Sequence, residues 1–291
     1  MATLSRSRER YAQRQRLSNA VAAEGRRTWR QLDARDVTGS WRSLVPQLLI
    51  TLSGAQLAAA QGSDEYVGAA LAEQGIQADP IAEVVPRRLA GRASDGRQLD
   101  SLLDEPRITT LTALSRGATV PRALASGWAE LEMILRTQIA DAGRVADGLS
   151  TFARPGVGYV RMVQGKTCGR CAALAGKWFR SNQGFRRHPR CDCVHIPSRE
   201  NVAGDLTTSP RRYFDSLDQA DQNRLFGKAN ARAIRDGADP IPVMNASMRH
   251  GGVYTTASGR RGVSPVPEQI YQQAENRADA IRQLRLYGYI R

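Results

Sequence analysis

The chain has 291 residues, enough for two or three folding units, and its apolar fraction of 41% is that of an ordinary globular protein. Aromatic residues make up only 6%, which favours helices packed through Ala, Leu, Ile and Val over an aromatic-rich β-sandwich. The formal net charge is +14, carried mainly by arginine, and it suits a surface beside nucleic acid or an acidic protein, although an Arg-rich composition from a high-GC genome gives the same charge.

Neither a secretory leader nor a membrane span is predicted. The stretch Met1–Arg16 is polar and arginine-rich. The most apolar stretch, Leu44–Ala60, is short and is interrupted by one proline, one glycine and two glutamines. We therefore expect a protein made in the cytoplasm, with no membrane partner.

The first half of the chain is predicted to be helical. Helices are expected over Ser5–Leu32, Leu44–Gln61 and Ser63–Glu73, the last capped by its own Ser63 or Asp64. Prolines and glycines break Asp79–Arg107 into loops and short helical pieces.

The longest helix is predicted over Thr119–Leu149. Its apolar residues recur at helical spacing and indicate one buried face. They are Trp128, Leu131, Ile134, Leu135 and Ile139.

The pattern changes at Pro155. From Gly156 to Pro197 the chain is rich in Gly, Arg and Cys, with β-prone pieces at 159–163 and 177–179. Helix signals then return: Ser216 and Gln219 predict a capping box, a helix is expected over Ala229–Asp236, a loop over 245–266, and a last helix over Pro267–Leu286.

These patterns predict a mainly α fold. A helical N-terminal region (1–150) is followed by a small α+β cysteine/histidine knuckle (151–200) and by a C-terminal helical region with a flexible loop (201–291).

The knuckle contains the strongest chemical signal. A Cys-x-x-Cys turn and a later His-Pro-x-Cys-x-Cys bring two sets of soft ligands together, as a tetrahedral structural zinc requires. The candidate metal ligands are Cys168, Cys171, His188, Cys191 and Cys193. Five candidates compete for four places, and His195 is a sixth. Free thiols, or a disulfide between the two cysteine pairs, remain alternatives, whereas a catalytic zinc is disfavoured because acids nearby are scarce.

The knuckle resembles the Mu gpF-like (MuF) domain of phage minor head proteins. The resemblance is carried by Cys168 and Cys171, by Leu174, Gly176 and Phe179, and by the closing segment His188–Cys193. The later segments Tyr213–Leu217 and Ala233–Asp239 are similar to the continuation seen in actinobacterial phage members. The similarity extends over about Tyr11–Gly252, but only the knuckle is specific.

The resemblance implies a structural minor capsid protein without enzymatic activity. Such a protein is associated with the portal inside the virion head and acts in head morphogenesis, DNA packaging or ejection. The implied partners are the portal protein, a major capsid or scaffold protein and the packaged DNA, after assembly in the host cytoplasm.

Basic residues of the knuckle are expected to bind DNA without sequence preference. They are Arg161, Lys166, Arg170, Lys177, Arg180, Arg186, Arg187 and Arg190. The same arginines suit an acidic portal or capsid surface equally well.

Two alternatives are kept. A capsid maturation protease would need an unrecognised site around His195 or His250, and no Gly-x-Ser-x-Gly turn supports one. A free zinc-dependent regulator would need an amphipathic recognition helix, which the stretch between Cys171 and His188 does not predict.

Overall fold

The structure is a computed structural model that describes residues 5–162, 167–180, 194–205, 209–248, 252–255 and 261–290. It is 67% helical with a small three-stranded antiparallel sheet, which confirms the mainly α fold with a small α+β region. The chain forms two compact units. Unit 1 comprises Met1–Tyr159 and Trp178–Val202, and unit 2 comprises Val160–Lys177 and Ala203–Arg291. The knuckle segment contributes residues to both.

Unit 1 is a helical bundle with strands from the knuckle. Its helices are α1 (Ser5–Trp29), α2 (Val37–Ala60), α3 (Ser63–Ala72), α4 (Leu99–Leu103), α5 (Glu105–Ser115) and α6 (Val120–Phe152), with a 3₁₀ turn at Pro86–Leu89. Its strands are β2 (Trp178–Arg180) and β3 (Val194–Ser198). The unit boundary falls inside β1 (Gly158–Met162), and the sheet has the order β2-β1-β3.

Local chemistry explains where the helices begin. The Asp36 carboxylate accepts a hydrogen bond from the Gly39 amide (2.8 Å), so α2 begins seven residues before the predicted start at Leu44. The predicted caps of α3 are wrong. Its N-cap is Gly62, which has a positive φ of 69° and makes no side-chain cap bond.

Helix α6 is the centre of unit 1, and α1, α2, α3 and α5 all pack against it. Its predicted apolar face is buried, including Leu131, Leu135 and Ile139. Two tryptophans from α1 and α2 meet edge to face in the same core, with ring centroids 5.2 Å apart, and the indole of Trp41 donates to the Leu103 carbonyl (3.1 Å).

One helical stretch, Val37–Ala72, is long and apolar enough to cross a membrane by length and composition alone. This is weak evidence, because the core helix of a soluble protein passes the same test. Within it, α2 buries Trp41, Leu48 and Leu52 in the bundle core.

A buried charge network joins α1 to α6. Asp147 is 1% exposed and accepts hydrogen bonds from Arg10 Nη2 (2.8 Å) and Arg14 Nη1 (3.1 Å). Arg10 also donates to the carbonyls of Ala59 (2.9 Å) and Gln61 (2.8 Å) at the end of α2. Burial lowers the pKa of Arg14, which the nearby Asp147 carboxylate partly opposes.

Strand β3 is tied to the helices through its backbone. The Tyr66 hydroxyl donates to the His195 carbonyl (2.7 Å), and the Gln74 amide donates to the Pro197 carbonyl (2.8 Å). Burial, followed by the Asp147 charge, raises the pKa of Tyr66, so its hydroxyl stays neutral and able to donate.

Unit 2 is a set of short helices around a second core. Its helices are α7 (Gly169–Ala172), α8 (Pro210–Asp215), α9 (Gln219–Phe226), α10 (Lys228–Arg235), α11 (Pro240–Met248), α12 (Pro267–Gln273) and α13 (Arg277–Leu286). A 3₁₀ turn at Glu200–Asp205 contains the boundary between the units in the sequence. The core is built around Phe214, Phe226, Ile234, Val243 and Leu284.

Three predictions for this half are wrong. The cap of α9 is Asp218, whose carboxylate accepts from the Asp221 amide (2.7 Å), and not Ser216. The predicted loop 245–266 contains the end of α11 and an antiparallel hairpin, β4 (Gly252–Thr255) with β5 (Arg261–Ser264). The last predicted helix is two helices, since Asn276 caps a new start by accepting from the Asp279 amide (3.0 Å).

Candidate functional site

The first half of the predicted metal site is a single helical turn in unit 2. Cys168 is the N-cap of α7, and its carbonyl accepts from the Ala172 amide (3.0 Å). Cys171 lies three residues later, so both cysteines belong to one side of the turn. Cys171 is buried and Cys168 is half-buried. Two thiols in this arrangement fit half of a tetrahedral zinc site.

This turn is built into the core of unit 2. Gly169 lies so close to the core that an added Cβ would stand 2.9 Å from Met244 Cε and from Phe226 Cδ1. No larger residue fits there without movement of both side chains. Helix α7 packs against α8, α9 and α11. The position of the cysteines is therefore fixed by helices α8, α9 and α11, which lie well downstream in the sequence.

A tyrosine from α8 holds the residue in front of the first cysteine. The Tyr213 hydroxyl accepts from the Thr167 amide (2.6 Å) and donates to the Thr167 carbonyl (3.0 Å). The ring of the same tyrosine is buried in the core. Sequence reasoning noticed Tyr213 only as part of the MuF-like continuation and gave it no role.

The other three metal candidates, His188, Cys191 and Cys193, lie outside the described residues. Within the described ranges, no group of three or more His, Cys, Asp or Glu side chains is placed to hold a metal ion. The full ligand set thus stays a prediction from the sequence.

His195, the sixth candidate ligand, has a packing role in unit 1. It is buried, and its ring stacks on Tyr159 with centroids 4.1 Å apart and an interplanar angle of 19°. Tyr159 stacks in turn with Phe179 of β2 (5.4 Å). His250, the other histidine considered for a protease, is outside the described residues.

The predicted DNA-binding residues differ in exposure. Arg170, Lys177 and Arg180 are exposed. Arg161 is 2% exposed, because all five positions of β1 are buried, so its guanidinium is not on the surface where a phosphate contact would form. Lys166, Arg186, Arg187 and Arg190 fall outside the described residues.

Comparisons of the chain with protein-family models, with curated proteins and with solved structures found no match.

We expect purified, reduced protein to contain about one zinc per chain by elemental analysis, and to release it to a chelator with loss of structure in the knuckle. A C168S/C171S variant should contain none. A metal-free protein in which all four thiols titrate would contradict the prediction. So would a disulfide linking Cys168 or Cys171 to Cys191 or Cys193, found by mass spectrometry.

Proposed function

We propose that this chain is a structural minor head protein of a tailed phage, seated near the portal inside the head and built around a structural zinc knuckle. The observation that carries the proposal is that two segments far apart in the sequence pack together in the core of unit 2. The Cys-x-x-Cys turn and the downstream segment around Tyr213 both belong to the MuF-like pattern, and the tyrosine hydroxyl binds the backbone at Thr167.

The role of zinc in this proposal is structural. When bound, the metal would supply cross-links between the two ends of a loop that contributes few large apolar side chains. The chain's own residues already orient one end, because Gly169 and Tyr213 fix the turn that bears Cys168 and Cys171.

A portal partner needs a docking surface, and the sequence-based choice of that surface requires correction. The sequence favours 44–60 and 128–139 for this role, as helices with more apolar surface than they can bury on themselves, with packing of the two helices on each other as the alternative. Most of the large apolar residues there are instead buried or half-buried, because α2 and α6 pack on each other. Ile50 is the exception, at 67% exposed.

Three exposed large apolar residues lie together at the C-terminal end of α6. Val145, Leu149 and Phe152 follow a spacing of four and three residues on one helix face, and all three are exposed. Ile81, 79% exposed, is held beside them, because its amide donates to the Ala153 carbonyl (2.8 Å). We call these four residues the α6 apolar patch.

The chain around this patch is acidic, in contrast to the rest of the protein. Residues 62–86 contain five carboxylates and no lysine, arginine or histidine. Two of the carboxylates, Asp79 and Glu83, are exposed on either side of Ile81 and make no ion pair within the described part of the chain. A clustered apolar surface with carboxylates at its edge suits an amphipathic segment with basic flanks. We assign that segment to the portal.

We expect a leucine-to-glutamate and phenylalanine-to-glutamate double variant, L149E/F152E, to lose at least about tenfold in affinity for the cognate portal protein, since two apolar anchors become charges beside like charges. The measurement is co-purification of co-expressed proteins, followed by titration in solution. Ile50→Glu is the control, at an apolar residue of the same unit that lies outside the patch and is at least as exposed, and this variant should bind the portal like the wild type.

Equal binding by L149E/F152E and the wild type would remove the patch from the portal interface. Absence of any complex between the wild-type chain and its portal would remove the portal role. Mass spectrometry of purified particles checks the structural role itself, because a structural protein should be present uncleaved, whereas histidine-dependent cleavage of a capsid protein by this chain would replace the proposal with a maturation protease.

A further inference from the structure

Helix α1 presents a line of arginines to solvent along its whole length. Besides Arg6, which pairs with Glu9, five arginines are exposed on it or in the turn that continues it: Arg8, Arg16, Arg26, Arg27 and Arg30. At 3.6 residues per turn these five positions fall within an arc of about 100° on the helix surface. The opposite face is buried in the bundle and includes Val21, Gly25 and Trp29. We call the exposed set the α1 arginine stripe.

Most of the stripe is not neutralised. In the described part of the chain, Arg8, Arg16 and Arg30 have no carboxylate partner. Arg26 lies over the ring of Trp128, 4.9 Å from its centroid, and this contact leaves its charge in place. Among the five, Arg27 alone has an acidic partner within the described ranges, Glu24 of the same helix.

The stripe differs from the buried arginines of the same helix. Arg10 and Arg14 point into the bundle and share Asp147 as their ion-pair partner. Those two residues stabilise the fold, while the stripe makes no comparable contribution. Its cations are therefore available to an external anion.

The residues between the arginines exclude a typical protein interface. Ala12, Asn19 and Ala23 lie in the same arc and provide no large apolar side chain, and Glu9 at the edge of the arc pairs with Arg6. Stable protein interfaces have a desolvated apolar centre, which this surface lacks. The small residues do allow a rigid phosphate backbone to approach the helix closely.

The length of the stripe matches one turn of a nucleic-acid duplex. From Arg8 to Arg30 the helix rises about 33 Å at 1.5 Å per residue. A DNA duplex advances about 34 Å per turn and carries one charge per about 1.7 Å of axis. We infer that the α1 arginine stripe binds the phosphate backbone of a nucleic-acid duplex. This site depends only on the arginines of the stripe and does not involve the knuckle. We expect it to contact phosphates and not to recognise base sequence.

The test compares three charge-matched variants of the full chain. R8Q/R16Q/R30Q removes the unpaired cations of the stripe. R87Q/R88Q/R116Q removes three exposed arginines elsewhere in unit 1, and R170Q/K177Q/R180Q removes three exposed cations of the knuckle. Each variant lowers the net charge by the same three units, and each replaces exposed side chains, so circular dichroism should show unchanged folding.

Binding is measured by fluorescence anisotropy with labelled duplexes of about 21 base pairs, two helical turns, over a range of salt concentrations. For the wild type, log K should fall steeply with log salt. For R8Q/R16Q/R30Q the slope should become shallower by about 3, one unit for each lost phosphate contact, and affinity at low salt should fall at least about tenfold. The R87Q/R88Q/R116Q control should keep the wild-type slope. DNA and RNA duplexes of the same sequence distinguish the source of the phosphates.

Three results would overturn the inference: no duplex binding by the wild type, an equal loss in the stripe and control variants, or a loss confined to R170Q/K177Q/R180Q. The last would move the nucleic-acid contact to the knuckle and leave the proposed head function intact. Failure of the chain to bind the portal, in contrast, would not affect the inference that the α1 arginine stripe binds a duplex.

Discussion

Replacing Asp147 by asparagine is expected to destabilise unit 1 by about 3–5 kcal/mol. The variant keeps the shape of the side chain but leaves Arg10 and Arg14 buried beside a neutral amide. Burial already lowers the pKa of Arg14, which means that its charge is held in an unfavourable environment offset mainly by Asp147. Removing the only carboxylate that both guanidinium groups share should therefore cost far more than losing a surface ion pair.

Urea unfolding followed by tryptophan fluorescence measures this effect selectively. All four tryptophans, at positions 29, 41, 128 and 178, belong to unit 1. Glu132→Gln is the matched control on the same helix, because Glu132 pairs with Arg136 (3.0 Å) where both side chains are about one third exposed, and its loss should change stability by about 0.5 kcal/mol. A D147N variant no less stable than E132Q would show that the network contributes nothing to folding.

Two alanine substitutions on α6 are expected to shift stability in opposite directions. At Gly127 a Cβ would stand 2.7 Å from two ring carbons of Trp29 and would also collide with Thr110 Oγ1. Both neighbours are fixed, since the Trp29 indole donates to the Leu124 carbonyl (3.1 Å) and Thr110 Oγ1 donates to the Pro106 carbonyl (2.9 Å). Overpacking of this kind costs about 1–3 kcal/mol and outweighs the better helix propensity of alanine.

At Gly148, on the same helix, a Cβ meets no atom within 4 Å. Gly148→Ala should therefore gain up to about 1 kcal/mol from helix propensity. In thermal unfolding, G127A should lower and G148A should raise the midpoint of unit 1, by about 2–4 °C for each kcal/mol. Equal shifts in both variants would mean that α1, α5 and α6 do not approach each other as closely as described.

The sequence predicted those elements whose signal is local and strong. The face of α6 that holds Leu131, Ile134 and Ile139 is buried as its spacing indicates, because a helix 33 residues long repeats the pattern many times. Helix α5 was missed, since its segment Glu105–Ser115 is rich in threonine and has weak apolar periodicity. The hairpin of β4 and β5 was missed for a similar reason, because glycine and serine in 245–266 resemble loop composition.

The candidate site shows the same limit of local reasoning. The cysteine spacing predicts a turn at Cys168 and Cys171, and α7 provides one. The hydrogen bonds that hold Thr167, in front of this turn, come from Tyr213, 46 residues away. A local sequence pattern cannot predict a contact between residues so far apart in the chain. The burial of Arg161 could not be predicted either, because strand alternation places every second residue outward, whereas β1 is covered on both faces.

The connections of the Tyr66 hydroxyl also determine the order in which unit 1 can be completed during translation. Its acceptor, the His195 carbonyl, is 129 residues downstream of Tyr66. Asp147, the ion-pair partner of Arg10, is 137 residues downstream of that arginine. Helices α1 to α5 are therefore synthesised before either partner. Because contacts that are distant in the chain form late and expose unpaired groups until then, the newly made N-terminal helices depend on the arrival of first α6 and then the strand after the knuckle. A chain interrupted within the knuckle would leave this tyrosine and the end of α3 uncovered.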